Sequence, residues 1–512
     1  MDLNAIAGSR WPRLVLAFLA GASTSLAFAP YSLWSVYPIA IALSLWLSQG
    51  LSPKAAFGHW LSFGFGSFAF GISWVHVSID RFGGLPLVVS LSLMALLALY
   101  LALYPALAGM LYARLKTAHA LPNLLLLFPA LWILTEWARG WMLTGFPWLW
   151  AGYSQTDGPL LPLAAFIGVQ GIGALVLVCA GALALLSQKR GLPLAFLLPV
   201  LALLVFMANR FPQVERSGET LKVLLVQGNI PQSMKWEPEQ LWPTMLKYMD
   251  LSRPHADADI ILWPEAAIPA PESMVADFLD NANRVANLNN NAIITGIISH
   301  QDNHWYNSLI VLGNHHEKVQ QEPDYEANGT NRFRKHHLLP IGEFVPFESL
   351  LRPLAPFFNL PMSSFSRGDY LQPNLLAAGF QLAPAICYEI AFPEQLRQNV
   401  TEHTDLLLTV SNDAWFGESN GPLQHMEIAR MRSAELGRPL LRATNNGVTA
   451  VVDEFGQISE AVPQFETQVL KADVALTKGT TLFARTGHLP LYLLCVLIVL
   501  AAWGYRRKQA HR

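Results

Sequence analysis

Residues 382–389 read Leu-Ala-Pro-Ala-Ile-Cys-Tyr-Glu, an apolar run that ends in a thiol, a phenol and a carboxylate. A short apolar run without alternation is typical of a strand that is buried on both faces of a sheet. A helix is expected at 423–436, where Met426, Ala429, Met431 and Leu436 recur among polar residues. Five further apolar runs occur in the same polar region, at 221–227, 260–263, 292–298, 406–410 and 448–452. Together these patterns predict a layered α/β domain.

Long apolar stretches flank this polar region. Hydrophobic residues make up 52% of the chain and charged residues only 14%, whereas soluble domains have about 25% charged residues. Runs of about 20 apolar residues suffice to cross a bilayer. Eight candidates occupy approximately 12–29, 34–49, 56–79, 84–113, 121–138, 160–187, 191–209 and 489–505. We therefore expect a membrane domain of seven spans at 1–210, a soluble domain at 211–485, and an eighth span with a basic tail at 486–512.

Lysine and arginine residues in the loops predict the orientation. If the N-terminus is cytoplasmic, the inside loops and the tail hold eleven such residues, and the outside loops hold only Arg81 and Arg139. This bias places both termini in the cytoplasm and the soluble domain on the far side, the periplasm if the membrane is a bacterial inner membrane. Residues 27–29 imitate a signal-peptidase site, but the spans that follow at once favour an uncleaved anchor.

Cys387 is the only cysteine of the polar region, since Cys179 and Cys495 lie in apolar stretches. A lone thiol outside the cytoplasm cannot be part of an internal disulfide, so it is either an inert buried residue or a nucleophile. No Cys-x-x-Cys or His-Glu-x-x-His spacing occurs, so no metal site and no cofactor are expected. No basic stripe suggests a nucleic-acid partner.

Other strand ends supply the groups that activate a thiol. Glu265 follows the run 260–263, and a lysine and a second carboxylate, Lys335 and Glu343, lie in one segment. Functional side chains converge at strand ends in α/β sheets, so we expect these residues to line one cleft with Cys387. A carboxylate accepts the thiol proton and an ammonium stabilises the thiolate and a later oxyanion.

Two other kinds of catalysis are weaker alternatives. His336, His337 and His425 allow a cysteine-histidine mechanism, although a histidine pair in a charged loop is commonly solvated. The segment 417–421 matches Gly-x-Ser-x-Gly, but its serine lies nine residues after Val410, whereas a serine nucleophile elbow directly follows a strand.

Several motifs resemble those of a known enzyme family. The segments 263–265 (Trp-Pro-Glu), 335–346 (from Lys335) and 386–389 (Ile-Cys-Tyr-Glu) resemble the Glu-Lys-Cys triad of the nitrilase superfamily. The eight spans, with 145–148, 411–416 and 444–447, resemble its membrane-embedded branch, the apolipoprotein N-acyltransferase family. The resemblance covers nearly the whole chain. It implies a nitrilase-like α-β-β-α sandwich inserted between seven N-terminal transmembrane helices and one C-terminal helix.

The resemblance also implies a two-step acyl transfer. Cys387 would attack the sn-1 ester of a phospholipid, typically phosphatidylethanolamine, and the acyl chain would pass from the thioester to the α-amino group of a diacylglyceryl-cysteine on an apolipoprotein. Glu265 would serve as base and acid, and Lys335 would support the oxyanion. By the same motifs Glu343 would assist the triad, Tyr388 and Glu389 would shape the surroundings of the nucleophile, and Trp236 would lie on a lipid-facing loop.

Further lipid contacts are expected from aromatic segments. The segment 145–150, with Trp148, forms either an aromatic belt or the floor of a lipid-access cleft, and Trp415 is a second candidate lipid contact. The loop 354–362 either dips into the interface or simply packs. Glu136 and Arg139, at i, i+3 spacing, are expected to form an ion pair.

We expect a monomer with no partner beyond its two lipid substrates.

The sequence also allows two other functions. One is a membrane-tethered nitrilase-like amidase acting on a small amide, and the other is a non-catalytic membrane scaffold. Eight spans exceed what the tethering of one domain requires, which favours the acyltransferase.

Overall fold

The computed structural model describes residues 9–314, 324–340, 342–344 and 365–510. The chain divides into two compact units. The described residues of 1–76, 86–212 and 485–512 form one unit, and Val77–Leu85 with Gln213–Ala484 form the other. The loop 354–362 lies outside the described residues.

The first unit is helical. Many of its large apolar side chains remain exposed, for example Leu192, Phe196 and Leu497, as expected where lipid rather than water is the solvent. Its main helices are Arg10–Ser23, Val36–Leu47, Pro53–Gly71, Leu87–Leu115, Phe128–Arg139, Ala164–Leu186, Leu192–Arg210 and Leu489–Ala510, and Trp74–Val77 continues the chain after Pro53–Gly71.

Several of these helices are long and apolar enough to cross a membrane. Among the described residues five meet this criterion, or six if Pro53–Gly71 and Trp74–Arg81, which meet at a bend of 51°, form one span. Arg10–Ser23 and Val36–Leu47 contain 14 and 12 residues. At about 1.5 Å per residue they are roughly 18 to 21 Å long, shorter than a hydrocarbon core of about 30 Å. Several apolar helices are consistent with a multi-pass membrane protein, and the count of eight spans stays a prediction.

The described residues of the second unit form two β-sheets. The first sheet contains β1 Val214–Gln227, β2 Ile260–Leu262, β3 Ile268–Pro271, β4 Ala292–Gln301, β5 His304–Leu312, β6 Arg332–Arg334 and β13 Gln468–Gly479. Its order is β13-β1-β2-β4-β5-β6, with β3 beside β4. The second sheet contains β7 Leu375–Ala377, β8 Phe380–Ile386, β9 Leu406–Ser411, β10 Leu440–Thr444, β11 Ala450–Val452 and β12 Ile458–Ala461. Its order is β12-β11-β10-β9-β8-β7.

Alternation along the strands builds the layers. On β1, Leu221, Val223 and Leu225 belong to a core shared by both sheets, whereas Leu224 and Val226 belong to a second core with the helices Leu241–Ser252 and Ala276–Asn289. The helices Pro393–Asn399 and Gly421–Leu436 contact the second sheet. This arrangement confirms the predicted nitrilase-like α/β sandwich.

The parallel strands of each sheet end at a common edge, where Glu265 or Cys387 follows. In the first sheet β1, β2 and β4 are parallel, and in the second sheet β8, β9 and β10 are parallel. The carboxyl ends of parallel strands meet at one edge of a sheet. Glu265 follows β2 and Cys387 follows β8, so each of these residues lies at such an edge.

Candidate active site

Glu265 is held by groups from both sheets. Pro264, which cannot donate to the strand ladder, ends the pairing of β2, and the chain turns at Ala266 with a positive φ of 45°. Oε1 of Glu265 accepts hydrogen bonds from Asn307 Nδ2 at 2.8 Å and from Lys335 Nζ at 3.3 Å. Oε2 accepts one from the backbone N–H of Asn412 at 2.9 Å. Because Asn412 follows β9, this carboxylate connects the two sheets.

Lys335 lies directly after β6 and is buried between two carboxylates. Its ammonium is 3.3 Å from Glu265 and 2.9 Å from Glu343. Asn307 Nδ2 also donates to Glu343, at 2.9 Å, so one amide bridges the same two carboxylates. Burial alone lowers the pKa of Lys335, but Glu265 and Glu343 raise this pKa well above its ordinary value. Lys335 is therefore a permanent cation, suited to an oxyanion rather than to proton transfer.

The resting proton stays on the sulfur. Burial raises the pKa of Glu265. The charge of Lys335 and the hydrogen bonds from Asn307 and Asn412 outweigh this effect and hold the pKa of Glu265 below its ordinary value. Burial raises the pKa of the Cys387 thiol above its usual range, and the charge of Glu265 raises it further. A neutral thiol beside a carboxylate is the resting state. A thiol that is held neutral in this way needs a proton acceptor at the moment its sulfur attacks a carbon atom.

Cys387 occupies a constrained backbone position. It is half-buried, begins the short 3₁₀ turn Cys387–Ala391 after β8, and has a φ of +52°, where side chains other than glycine are strained. Glu389 fixes this turn, because its Oε2 accepts the backbone N–H of Ile386 at 2.9 Å. Its Oε1 accepts the N–H groups of His336 at 2.7 Å and His337 at 3.1 Å. Burial raises the pKa of Glu389 to about 7, although the hydrogen bonds from these N–H groups lower it. Glu389 thus joins the cysteine turn to the segment that follows Lys335.

His425 contacts the main chain of the cysteine. Its Nε2 lies 3.0 Å from the carbonyl oxygen of Cys387. Its Nδ1 lies 3.1 Å from Asp413 Oδ1 and 3.0 Å from a guanidinium nitrogen of Arg442. Burial raises the pKa of Asp413, but Arg442 and His425 together lower it to about 2. This buried cluster holds the backbone of Cys387, whereas the cysteine-histidine mechanism would require a histidine at the thiol.

The other predicted site residues lie in varied environments. Tyr388 is buried, with its ring edge-on to Phe392 at 5.1 Å. Trp236 is half-buried in a turn after β1. Trp415 is also half-buried, and its carbonyl oxygen accepts the hydroxyl of Ser78 at 2.7 Å.

The serine of the Gly-x-Ser-x-Gly match has a local contact. Ser419 Oγ accepts the backbone N–H of Gly421 at 3.2 Å, at the start of the helix Gly421–Leu436. The N-cap of this helix is Asn420, so the contact of Ser419 is a local serine turn just before the helix.

In the membrane unit, Glu136 and Arg139 anchor a loop. They lie 3.8 Å apart, and Arg139 donates to the carbonyl oxygens of Phe146 at 2.8 Å and Trp148 at 2.6 Å. Trp148 itself is 1% exposed and packs against Trp74 at 5.3 Å between ring centroids. The pair therefore organises the segment 145–150 from within.

Two residues near the triad were missed by the sequence reasoning. Asn307, in β5, bridges Glu265 and Glu343, and its signal is a buried amide in the middle of a strand. Lys235, which is 2% exposed, donates to the carbonyl oxygen of Glu265 at 3.1 Å. Its only signal in the sequence is its position next to Trp236.

A sandwich of this kind, with a thiol and a carboxylate at strand ends of its two sheets, is the fold of the carbon-nitrogen hydrolases, and that family matches residues 222–482. The apolipoprotein N-acyltransferase N-terminal domain matches residues 20–182. The chain belongs to the apolipoprotein N-acyltransferase family, as relatives that match nearly its full length show.

Named relatives cover nearly the full length. The apolipoprotein N-acyltransferase of Shewanella oneidensis is 69% identical over 499 residues, which are 97% of this chain and 96% of the relative. That of Vibrio cholerae is 52% identical over 519 residues, or 99% and 100% of the two chains. A solved CN-hydrolase superfamily protein from Xanthomonas campestris is 19% identical, with a TM-score of 0.37, and covers 50% of this chain and 91% of its own.

Proposed function

We propose that this enzyme moves an acyl chain from the sn-1 position of a phospholipid, typically phosphatidylethanolamine, to the α-amino group of the N-terminal diacylglyceryl-cysteine of an apolipoprotein. Family membership supports lipoprotein N-acylation and does not favour an amidase that acts on a small amide. The observation that carries the chemistry is the buried ion pair of Glu265 and Lys335, whose charges act on Cys387.

The first half-reaction makes a thioester. As the sulfur of Cys387 attacks the ester carbonyl, its proton passes to Glu265 and negative charge develops on the carbonyl oxygen. The ammonium of Lys335 stabilises that oxyanion. When the intermediate collapses, the C–O bond breaks and Glu265 returns the proton to the glycerol oxygen, which releases a lysophospholipid.

The second half-reaction makes the amide. The acceptor amine, which is nucleophilic only when unprotonated, attacks the thioester, and Glu265 takes a proton from the nitrogen. The C–S bond then breaks, and the proton on Glu265 restores the neutral thiol. Glu265 therefore acts once as base and once as acid in each half-reaction.

The remaining predicted residues support this cycle. Glu343 keeps Lys335 in place, Glu389 and Tyr388 shape the cysteine turn, and Trp236 and Trp415, which are half-buried, contact the lipid chains. Trp148, which is 1% exposed, would contact a lipid chain only after its neighbours move. The support for these roles is the family motifs, together with the contacts of Glu343 and Glu389.

We further propose a location in a bacterial inner membrane. The chain is a monomer that crosses the membrane eight times, with both termini in the cytoplasm and the domain 211–485 in the periplasm. The bias of lysine and arginine among the loops supports this orientation. A C-terminal tag should therefore resist protease in intact cells, and its cleavage there would contradict the orientation.

The transfer itself is testable with defined substrates. Purified enzyme receives phosphatidylethanolamine labelled in the sn-1 chain and a diacylglyceryl-cysteine peptide, and mass spectrometry follows the peptide. We expect the mass of one labelled acyl chain on the amino group, and no product with Cys387→Ser. Product from the serine variant, or release of free fatty acid alone by the wild type, would contradict the proposal.

A further inference from the structure

Lys235 is a second buried lysine at the site. Its ammonium donates to the carbonyl oxygen of Glu265 at 3.1 Å. That carbonyl precedes Ala266, whose φ is positive, so the lysine fixes a strained turn that carries the base. Burying an ammonium is costly unless opposite charge lies nearby.

The segment that carries Lys235 is itself anchored at the site. Asn412 Nδ2 donates to Gln232 Oε1 at 2.7 Å. Ile230 exchanges two hydrogen bonds with the side chain of Asn445, at 2.9 and 2.8 Å. Asn412 is also the residue whose N–H group binds Glu265. These hydrogen bonds therefore fix the segment that carries Lys235.

The groups that face Lys235 are those that react. The charges of Glu265 and Cys387 raise the pKa of Lys235. The ammonium of Lys335 forms an ion pair with the side-chain carboxylate of the same Glu265. With Lys235 protonated, the two ammonium groups balance the carboxylates of Glu265 and Glu343. When the thiol proton moves to Glu265, the thiolate replaces one carboxylate charge and the balance is preserved. If Lys235 is neutral, the ammonium of Lys335 alone faces two negative charges, those of Glu343 and of either Glu265 or the thiolate.

We propose that Lys235 is a positioning residue for acyl transfer, because its ammonium fixes the main chain of Glu265 and supplies the second positive charge that keeps the site neutral as the thiolate forms. This inference rests on the proposed function, since it requires Cys387 to be acylated. It assigns a second buried lysine to the immediate surroundings of the Glu-Cys pair.

The proposal has a pH signature. Burial lowers the pKa of Lys235 to about 8, although Glu265 and Cys387 raise it in opposition. Above this pH the ammonium loses its proton, the site gains net negative charge, and acylation slows. Lys335 does not account for such an alkaline limb, because its pKa lies well above the ordinary value.

Single-turnover acylation of Cys387 by labelled phospholipid, measured from pH 6 to 10, tests this role. Lys235→Met loses both the charge and the donor, Lys235→Gln keeps a donor without the charge, and Lys235→Arg keeps both. We expect the Met and Gln variants to react about tenfold more slowly or worse at pH 7, without the alkaline limb. The Arg variant should keep its activity at pH 9. Lys222→Met, an exposed lysine of β1, is the matched control and should behave as the wild type.

Two results would overturn the inference. One is a wild-type rate and a wild-type alkaline limb in folded Lys235→Met or Lys235→Gln. The other is an unchanged alkaline limb in Lys235→Arg. If the wild type itself took no label on Cys387, the proposed function would fail first, so the two failures are distinguishable.

Discussion

The ammonium of Lys335 lies 3.3 Å from the carboxylate of Glu265, and both side chains are almost completely buried. Glu343 lies 2.9 Å from the same ammonium. In the proposed cycle, when Glu265 takes a proton and loses its charge, Glu343 continues to neutralise Lys335. The buried cation therefore keeps an opposite charge throughout the cycle, which lowers the cost of using Glu265 as a base.

Glu265→Gln should strongly slow thioester formation in a folded protein. The amide retains the shape of the carboxylate and one acceptor oxygen, but it cannot take the thiol proton. We expect a loss of about 10²- to 10⁴-fold, measured as the single-turnover rate of label transfer to Cys387.

A matched control separates chemistry from stability. Glu272 forms a buried ion pair with Arg332 at 2.9 Å in the same unit. Glu272→Gln should lower the free energy of unfolding by about 3 to 5 kcal/mol and leave the acylation rate of the folded protein unchanged. Equal acylation rates in the Glu265 and Glu272 variants would remove Glu265 from the chemistry.

Glu343→Gln should slow acylation without removing the base. In this variant, protonation of Glu265 leaves the Lys335 ammonium without a charged partner, so the thiolate forms at higher cost. We expect a loss of about 10- to 100-fold, smaller than that of Glu265→Gln. A wild-type single-turnover rate would show that the second carboxylate does not support the cycle.

His425→Gln should retain much of the acylation rate. Its amide can still donate to the carbonyl oxygen of Cys387, whereas His425→Leu cannot and should lose the rate through a loosened cysteine turn. If His425 were the general base, both variants would be equally inactive. Comparison of the two single-turnover rates decides between these roles.

Asp413→Asn should show a stability loss that depends on pH. The pKa of Asp413 is lowered to about 2, so its contribution to stability is present above the ordinary aspartate pKa and is lost as the pH falls toward 2. Thermal unfolding in detergent should show the variant to be less stable than wild type at pH 6. The difference in stability between the variant and the wild type should shrink between pH 4 and 2. A difference that stayed constant would mean that Arg442 and His425 do not lower the pKa of Asp413.

The sequence pattern predicts the most apolar strands. Each of the six apolar runs contains a strand, because near-continuous apolar residues need burial on both faces. The pattern does not predict β3, β12 and β13, nor β10, which lies in the middle of the second sheet but carries the polar Arg442 and Thr444. It also misses β5, whose polar His304 and Asn307 interrupt the apolar run, and β6 and β7, which have three residues each. Such short strands form only because their neighbours in the sheet supply the hydrogen bonds.

The site is predicted only as far as its motifs reach. Glu265 and Cys387 follow strands that are visible in the sequence, so their convergence can be inferred. The burial of Lys235 and of His425 depends on contacts between segments that are distant along the chain. Polar residues of this kind look like surface residues until the tertiary packing is known.

The central claim is that Cys387 carries an acyl chain from the bilayer. The most direct measurement is the mass of the peptide containing Cys387 after the enzyme is incubated with phospholipid labelled in its sn-1 chain, without acceptor. We expect one labelled acyl chain on Cys387, released by hydroxylamine and by addition of acceptor peptide. An unmodified Cys387 in enzyme that still transfers label to the acceptor would contradict the central claim.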